Sequence, residues 1–443
     1  MPVTSYLAEH AWLGGDRAEA GVLLEVEGDR ITAVRPGAEP PAGAERLPGL
    51  TLPGLANGHS HAFHRALRGR THRSGGSFWT WREDMYAVAA TLTPDTYAAL
   101  ARAVFAEMAL AGITCVGEFH YLHHGPGGTP YDDPNAMGEA LLAAADDAGV
   151  RITLIDTCYL TGGFGRPLEG PQLRFGDGDA ERWAARAAAL RPGPRARIGA
   201  AVHSVRAVPA EQLPTVAGWA ADREAPLHAH LSEQRAENDD CRAAHGRTPT
   251  QLLADAGALG PRTTAVHATH LTDSDVALLG GSRTTVCLCP TTERDLADGI
   301  GPARALADAG APLSVGSDSN AVVDLLEEAR GVELDERLAT QRRGHWPTPD
   351  LLRAATADGA AALGWPDAGR LEPGALADFV SVGTDSVRLA GARPDTLLES
   401  VLFAATAADV REVVVGGRRI VREGRHATLD VPRALDAAIR MLP

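Results

Sequence analysis

The sequence LPGLANGHSH, from Leu52 to His61, is a short apolar run that ends in two histidines. Seven further apolar runs follow it, and longer segments rich in alanine and leucine separate them. The eight runs are Leu52–His61, Thr114–Tyr121, Arg151–Leu160, Arg197–Val205, Pro226–Leu231, Thr263–Leu271, Thr284–Pro290 and Ala311–Ser319. Eight strands that each lead into a helix are typical of an α/β fold, the parallel (β/α)₈ TIM-type barrel.

Six of the intervening segments have a helical pattern. Several open with a proline and close near a glycine, as helices tend to do. These segments are Pro94–Gly112, Asn135–Gly149, Asp179–Leu190, Pro209–Asp222, Pro249–Ala256 and Pro302–Gly310. We expect them to be barrel helices.

Both ends of the chain have a different pattern, in which apolar and polar residues alternate around glycine turns. The alternating segments are Val22–Val26, Ile31–Val34, Ala377–Val382 and Glu412–Val421, and the last folds over Gly416-Gly417. A glycine pair between alternating runs is a hairpin signal. The sequence therefore predicts a small β-sandwich domain built from both ends, residues 1–50 and 371–443, beside a barrel of residues 51–370.

The composition restricts the partners that this chain can have. Of 443 residues, 44% are hydrophobic and 22% charged, the net charge is −15, and no basic run is present, so we expect no nucleic-acid partner. No apolar run is long enough to span a membrane, and residues 1–15 lack an export signal, so we expect no membrane association. Five cysteines without a disulfide framework favour the cytoplasm, and a homodimer is the commonest assembly for such a protein.

All 42 basic residues are arginine, and the chain contains no lysine. This excludes three kinds of site: a Schiff base, a phosphate-loop lysine and a carbamylated lysine that bridges two metal ions. Any metal site in this chain must therefore be built from other side chains.

Candidate metal ligands end three of the predicted strands. His59 and His61 are two residues apart on the first strand, so both imidazoles point to one side. His230 lies in the fifth strand, and Asp318 ends the eighth. Because the carboxyl ends of barrel strands meet at the active-site mouth, the sequence predicts one divalent ion held by these four residues. Zinc suits such ligands best, although iron and manganese also accept them.

Two further residues are placed for proton transfer. Glu233 follows the fifth strand, where a carboxylate can take a proton from water and give it to a leaving amine. His267, on the sixth strand, can hold that water or a developing oxyanion, and Asp318 can also accept a hydrogen bond from the water. We therefore assign catalytic roles to Glu233, His267 and Asp318.

Each of these residues also has an ordinary structural explanation. The histidine pair could be hydrogen-bonded near the surface, Glu233 could face solvent from a loop, and Asp318 could cap the next helix. The agreement of separate strand ends favours the metal site. Cys287 and Cys289 could be soft ligands, but no second cysteine pair completes a tetrahedral set, so we interpret them as buried barrel cysteines.

Together these residues resemble the amidohydrolase superfamily. So does the segment LEPGALAD, from Leu371 to Asp378, which resembles the return of that superfamily's chain into its small β domain. The resemblance covers nearly the whole chain, and the missing bridging lysine matches the mononuclear, deaminase-type branch.

Longer strings are similar to the formimidoylglutamate deiminase family of histidine degradation. They are GHSHAFHRA at residues 58–66, SFWTWRE at residues 77–83 and GEFHY at residues 117–121. The resemblance implies that Arg82, Tyr121, His203 and Arg206 hold the substrate. His64 is a fifth predicted substrate-binding residue, and it departs from the family pattern because the family has glutamine at this position.

The reaction that the resemblance implies is the metal-dependent deimination of N-formimino-L-glutamate to N-formyl-L-glutamate and ammonia. This small anionic amidine has two carboxylates, which arginine forks bind bidentately. Alternatives are a deaminase of a purine, pyrimidine or adenosylhomocysteine-like ring, cleavage of the other bond to give formamide and glutamate, and a barrel that only binds. We expect the segment Arg70–Arg82 to cover the substrate.

Overall fold

The computed structural model describes residues 3–71, 76 and 78–442. Its strands form two separate sheets. In chain order they are β1 (Val3–Ala11), β2 (Glu19–Glu27), β3 (Arg30–Pro36), β4 (Glu45–Pro53), β5 (Leu55–Ser60), β6 (Ile113–His120), β7 (Arg151–Cys158), β8 (Ala196–Val202), β9 (Leu227–Leu231), β10 (Thr263–His267), β11 (Thr285–Leu288), β12 (Leu313–Val315), β13 (Phe379–Val382), β14 (Val410–Val415), β15 (Arg418–Arg422) and β16 (Arg425–His426).

Strands β5 to β12 pair in chain order, and every ladder between them is parallel. The barrel closes through a parallel bridge between Ser60 and Asp318. Each of the eight predicted apolar runs overlaps one of these strands, so the predicted barrel is confirmed. The first run is wrong at its start, because Leu52 and Pro53 belong to β4 of the other sheet. Gly54 separates the two strands. The apolar run continues across Gly54, so the sequence pattern does not show that the chain passes from one sheet to the other.

Helices fill the connections between strands. They are α1 (Phe78–Thr91), α2 (Pro94–Leu110), α3 (Ala136–Ala148), α4 (Ala180–Ala187), α5 (Leu213–Asp222), α6 (Arg235–His245), α7 (Pro249–Asp255), α8 (Asp273–Ser282), α9 (Pro290–Asp295), α10 (Ala303–Asp308), α11 (Leu325–Thr340), α12 (Thr348–Ala354), α13 (Ala357–Ala362), α14 (Leu397–Ala404) and α15 (Val431–Arg440). Short 3₁₀ turns occupy Ala62–Leu67, Pro126–Gly128, Gly170–Arg174, Ala210–Gln212, Pro394–Thr396 and Ala407–Asp409. None of the helices in the described part of the chain has the length and apolarity to cross a bilayer.

All six predicted helical segments contain a helix. The end signals explain this agreement: the side chain of Thr93 caps α2 at Pro94, and α3 ends at Gly149, whose φ of 81° suits glycine. The prediction missed others, including α6 and α8. Helix α6 is mostly polar, so it carries no apolar stripe that sequence periodicity could reveal.

The second sheet unites both ends of the chain. Its strand order is β16-β15-β14-β13-β4-β1-β2-β3, and β13 lies antiparallel to β4. The predicted hairpin at Gly416-Gly417 is present between β14 and β15, and both glycines have positive φ angles. The division at residues 50/51 and 370/371 remains a prediction.

A buried ion pair joins the small sheet to the barrel. The Nε of Arg151, on β7, donates to Oδ2 of Asp378 at 2.6 Å, and Nη2 donates to Oδ1 at 3.1 Å. Asp378 immediately precedes β13, and it also accepts from the backbone N–H of Gly416. This contact fixes the small sheet against the barrel wall, away from the carboxyl ends of the barrel strands.

Candidate active site

The carboxyl ends of three barrel strands bring four predicted ligands together. His59 lies in β5 and His61 follows it, His230 lies in β9, and Asp318 follows β12. All four residues are buried, and one ligand atom from each lies within 4.8 Å of the others.

The spacing of these atoms fits a small tetrahedral cation. The Nε2 of His230 lies 3.1 Å from Nε2 of His59 and 3.4 Å from Nε2 of His61. The Oδ1 of Asp318 lies 3.3 and 3.4 Å from the same two histidine nitrogens. Ligand atoms about 2.0–2.1 Å from a central Zn²⁺ stand about 3.3 Å apart in a tetrahedron. The four side chains therefore fit a zinc-sized ion.

Hydrogen bonds to backbone carbonyls fix the tautomers of two of these histidines. The Nδ1 of His61 lies 3.0 Å from the carbonyl of Phe119, and the Nδ1 of His230 lies 2.9 Å from the carbonyl of His203. Because a carbonyl only accepts, each Nδ1 carries the proton and each Nε2 presents a lone pair. Burial lowers the pKa of both rings, so both are neutral. Two lone pairs 3.4 Å apart repel each other unless a cation lies between them.

The ends of strands at the site have left-handed backbone, which non-glycine residues rarely adopt. Asp318 has φ of 42°, His267 has 68° and Ser232 has 52°. Such conformations cost free energy and persist where the surrounding contacts impose them. At Asp318 those contacts are two backbone hydrogen bonds with the first strand, to the carbonyl of His59 and from the N–H of His61.

Glu233 and His267 lie beside the four-residue cluster. The Nε2 of His267 is 3.8 Å from Oε1 of Glu233 and 3.8 Å from Oδ2 of Asp318. Its Nδ1 lies 3.3 Å from Oε1 of Glu293. Glu293 also accepts from the backbone N–H of Cys289 at 2.8 Å. This second hydrogen bond fixes the position of the carboxylate that contacts His267.

Burial and neighbouring charges shift the pKa values of Glu233, Asp318 and His267. Burial raises the pKa of Glu233, although the nearby His267 opposes the shift. Burial would also raise the pKa of Asp318, but its hydrogen bond to His59 and the surrounding histidines hold it far below the usual value. Burial would lower the pKa of His267, but the carboxylates of Glu233, Glu293 and Asp318 raise it well above its usual value. A carboxylate that retains its proton more strongly is suited to acid–base chemistry.

A pocket of about 540 Å³ opens over the cluster. All five predicted substrate-binding residues line it, namely His64, Arg82, Tyr121, His203 and Arg206. Aromatic and apolar side chains complete the wall: Trp81, Met85, Tyr86, Tyr159, Phe175 and Leu296. Two arginines in a mostly apolar wall give the pocket a local positive charge, so the pocket suits an anionic ligand.

The two arginines are held differently. Arg206 is largely buried, and its Nε lies 4.0 Å from Oε2 of Glu237. The guanidinium of Arg82 lies over the rings of Trp79 and Tyr86, at 5.2 and 5.1 Å from their centroids. A stacked guanidinium keeps its edge available for a carboxylate.

His64, which departs from the family pattern, contacts another pocket residue. Its Nε2 lies 2.9 Å from the hydroxyl of Tyr121, and its ring packs 4.4 Å from that of His61. Burial lowers the pKa of His64 to about 3, so the ring is neutral. A neutral imidazole can replace the amide of glutamine in this contact, because both carry a donor and an acceptor.

The segment expected to cover the substrate is described in part. Residues 72–75 and 77 lie outside the described residues. The remainder enters α1, which places Trp81 and Arg82 in the pocket wall.

Sequence reasoning missed several residues that this site uses. Glu293 lies in α9, directly after β11, and Tyr159 directly follows β7. Both positions are at the carboxyl end of a barrel strand, which is the signal that could have identified them. Glu237 lies farther from a strand end, and only its contact with Arg206 reveals it. Cys287 and Cys289 are buried, as expected.

A second group of buried ligand-type residues comes from β6, the loop after it and β7. His120, His123 and Asp156 each place one atom within 4.8 Å of the others. However, the guanidinium of Arg186 donates to both oxygens of Asp156, at 2.8 and 2.9 Å, and Trp183 donates to one of them at 2.8 Å. The carboxylate of Asp156 is therefore already paired with a guanidinium. We interpret this cluster as a structural ion pair and not as a metal site.

Comparison with known proteins agrees with the geometry. Residues 50–420 match the amidohydrolase family. The chain is 40% identical over 440 residues to formimidoylglutamate deiminase of Pseudomonas aeruginosa, and the match covers 96% of each chain. It is 30% identical over 419 residues to 5-methylthioadenosine/S-adenosylhomocysteine deaminase of Natronomonas pharaonis, covering 93% of this chain and 90% of that one.

A solved structure extends the agreement to the whole fold. An amidohydrolase from Brucella melitensis superposes with a TM-score of 0.90 at 35% identity, and 99% of each chain is covered. The resemblance predicted from the sequence is thereby confirmed. The chain belongs to the amidohydrolase family, which comprises metal-dependent hydrolases of carbon–nitrogen bonds.

Proposed function

We propose that this protein hydrolyses N-formimino-L-glutamate to N-formyl-L-glutamate and ammonia. The observation that carries the proposal is the placement of two arginines, Arg82 and Arg206, in the pocket above the histidine–aspartate cluster. A dicarboxylate amidine needs cationic groups for its acid end and an activated water for its amidine end. The 40% identity to a formimidoylglutamate deiminase supports the same assignment.

The metal ion of this proposal is a single Zn²⁺ held by His59, His61, His230 and Asp318. Three imidazoles and a carboxylate at tetrahedral spacing suit zinc, although Fe²⁺ and Mn²⁺ accept the same donors. When bound, a divalent ion makes water a competent nucleophile at neutral pH. Metal analysis of the purified protein distinguishes the three ions.

The protein's own side chains then guide the protons. Asp318 and His267 orient the attacking water toward the formimino carbon, and the water oxygen forms a bond to that carbon. Glu233 takes a proton from the water and delivers it to the terminal nitrogen. As the carbon–nitrogen bond breaks, the second proton of the water passes from the hydroxyl group to the same nitrogen, again through Glu233. The nitrogen leaves as ammonia, and the carbon keeps the oxygen as a formyl group.

A ring deaminase is the second candidate, because the chain is 30% identical to a 5-methylthioadenosine/S-adenosylhomocysteine deaminase. The pocket arginines argue against a neutral ring, whose recognition depends on stacking and on hydrogen bonds to its edge. An ammonia assay on formiminoglutamate, adenosine, S-adenosylhomocysteine, guanine and cytosine separates the two. Product analysis must show formylglutamate; formamide and glutamate would mean that the other bond is cleaved.

The proposal also includes a cytoplasmic location and a homodimeric assembly. The five cysteines are free and buried, which fits a reducing cytoplasm. A twofold homodimer is the commonest assembly among soluble oligomers, and we propose it for this protein. The mass of the protein in solution tests the dimer.

A further inference from the structure

The side-chain amide of Gln172 holds two tyrosines of the pocket wall. Its Nε2 donates to the hydroxyl of Tyr86 at 2.9 Å and to that of Tyr159 at 3.3 Å. Its Oε1 accepts from the backbone N–H of Glu169 at 3.3 Å. Because a backbone N–H can only donate, this contact identifies the amide oxygen and leaves the NH₂ group facing the tyrosines.

Counting donors shows that the Tyr159 hydroxyl keeps its own proton for another acceptor. Each tyrosine hydroxyl has one proton and accepts a hydrogen bond from Gln172. Because the amide N–H occupies an acceptor position on the Tyr159 oxygen, the hydroxyl proton points away from Gln172. Tyr159 lines the pocket, so this proton is placed to serve a pocket ligand.

The surroundings of Tyr159 are those of an anion site. Its ring packs 4.3 Å from the ring of His203. Tyr159, His203 and Arg206 all line the pocket. A hydroxyl donor that shares a pocket with a guanidinium adds a directional bond to a carboxylate that the guanidinium attracts.

We propose that Tyr159 binds one substrate carboxylate together with Arg206, and that Gln172 is the positioning residue that directs the Tyr159 hydroxyl into the pocket. This inference rests on the proposed function, and it names a specificity determinant of that same site. The arrangement selects dicarboxylates, because an analogue that lacks this carboxylate leaves a buried donor unpaired.

The test compares wild type with Tyr159→Phe on three substrates. These are N-formimino-L-glutamate, N-formimino-L-norvaline, which lacks the distal carboxylate, and N-formimino-4-aminobutyrate, which lacks the α-carboxylate. We expect Tyr159→Phe to raise KM for the dicarboxylate about tenfold or more, with kcat nearly unchanged, because a hydrogen bond to a charged group is lost. The effect must disappear for one of the two monocarboxylates. No effect, or the same loss on all three substrates, overturns the inference.

Gln172→Glu tests the positioning role with a side chain of equal size. A carboxylate cannot donate, so the Tyr159 proton turns toward it and KM rises at least as much as in Tyr159→Phe. If Gln172 only fills space, KM stays at the wild-type value, which contradicts the proposal. Tyr131→Phe is the matched control, since Tyr131 contacts Arg174 and does not line the pocket.

Calorimetric binding of glutarate separates this inference from the proposed function. A wild type that contains metal but releases no ammonia from formiminoglutamate refutes the function. Glutarate binding that weakens in Tyr159→Phe and is unchanged in Tyr131→Phe still supports the carboxylate site. If wild type binds no glutarate, or both variants bind it like wild type, the inference is wrong.

Discussion

Asp318 meets His59 twice: its backbone N–H donates to the carbonyl of His59 at 2.9 Å, and its Oδ1 lies 3.3 Å from Nε2 of His59. The first contact belongs to the closure of the barrel, and the second to the candidate metal site. The same pairing of the first and last strands therefore sets both the fold and the spacing of the ligands.

Gly316→Ala should weaken this pairing. A Cβ at Gly316 would lie 2.8 Å from the backbone nitrogen and oxygen of His59, so the strands must move apart. We expect a loss of about 1–3 kcal/mol in stability, as is usual for overpacking, together with lower metal content. Thermal unfolding and metal analysis check both effects. Gly193→Ala is the control, because nothing lies within 4 Å of its added Cβ; equal behaviour of the two variants would contradict the steric argument.

Removing the metal should lower the melting temperature as well as abolish activity. Without a cation, the lone pairs on Nε2 of His61 and His230 face each other at 3.4 Å. An ion that binds only the folded state stabilises it by an amount that grows with the logarithm of the ion concentration relative to Kd. We expect Zn²⁺ to restore Tm after chelation and Mg²⁺ to leave it low, since Mg²⁺ prefers oxygen ligands. A Tm that does not respond to chelation and Zn²⁺ would argue against the site.

Glu233→Gln should stop turnover and leave the metal bound. The amide cannot accept and deliver a proton, and general acid–base catalysis contributes about 10²–10⁴-fold to rates. We therefore expect kcat for ammonia release to fall at least about 100-fold. Metal content should match the wild type, because Glu233 is not among the four clustered ligands. The exposed Glu211→Gln provides the control, and an active, metal-loaded Glu233→Gln protein would refute the proton-transfer role.

Glu293→Gln tests the residue that holds His267. The amide oxygen can still accept from Nδ1 of His267, but the negative charge that favours the imidazolium is lost. We expect kcat to fall about 10-fold with KM nearly unchanged, as when a supporting partner is removed. A change confined to KM would indicate that Glu293 serves the pocket wall instead.

Breaking the ion pair between Arg151 and Asp378 should destabilise the fold without changing the chemistry. Both side chains are buried, at 3% and 0% exposure, so Asp378→Asn leaves a buried guanidinium without its counter-charge. Such changes cost about 3–5 kcal/mol. Asp395→Asn, in the exposed pair with Arg393, should cost about 0–1 kcal/mol. Denaturant unfolding of the two variants measures the difference, and comparable losses would show that burial is not the cause.

Local patterns along the chain are enough to predict the barrel and the types of residue at its mouth. Strand and helix alternation is a local property, set by side-chain periodicity and by end signals such as Thr93 before Pro94, so it can be read along the chain. The spacing of His59 and His61 likewise indicates that both rings share a face.

Contacts between residues that are distant in the chain become visible only in the folded structure. The pairing of β4 with β13, the hydrogen bond between His267 and Glu293, and the contact of Gln172 with Tyr159 each join residues distant in the chain. No local pattern specifies such partners, because any of the 57 acidic residues could in principle approach a given histidine. Packing of the strands and their connections selects one, and burial then gives that one contact its electrostatic strength.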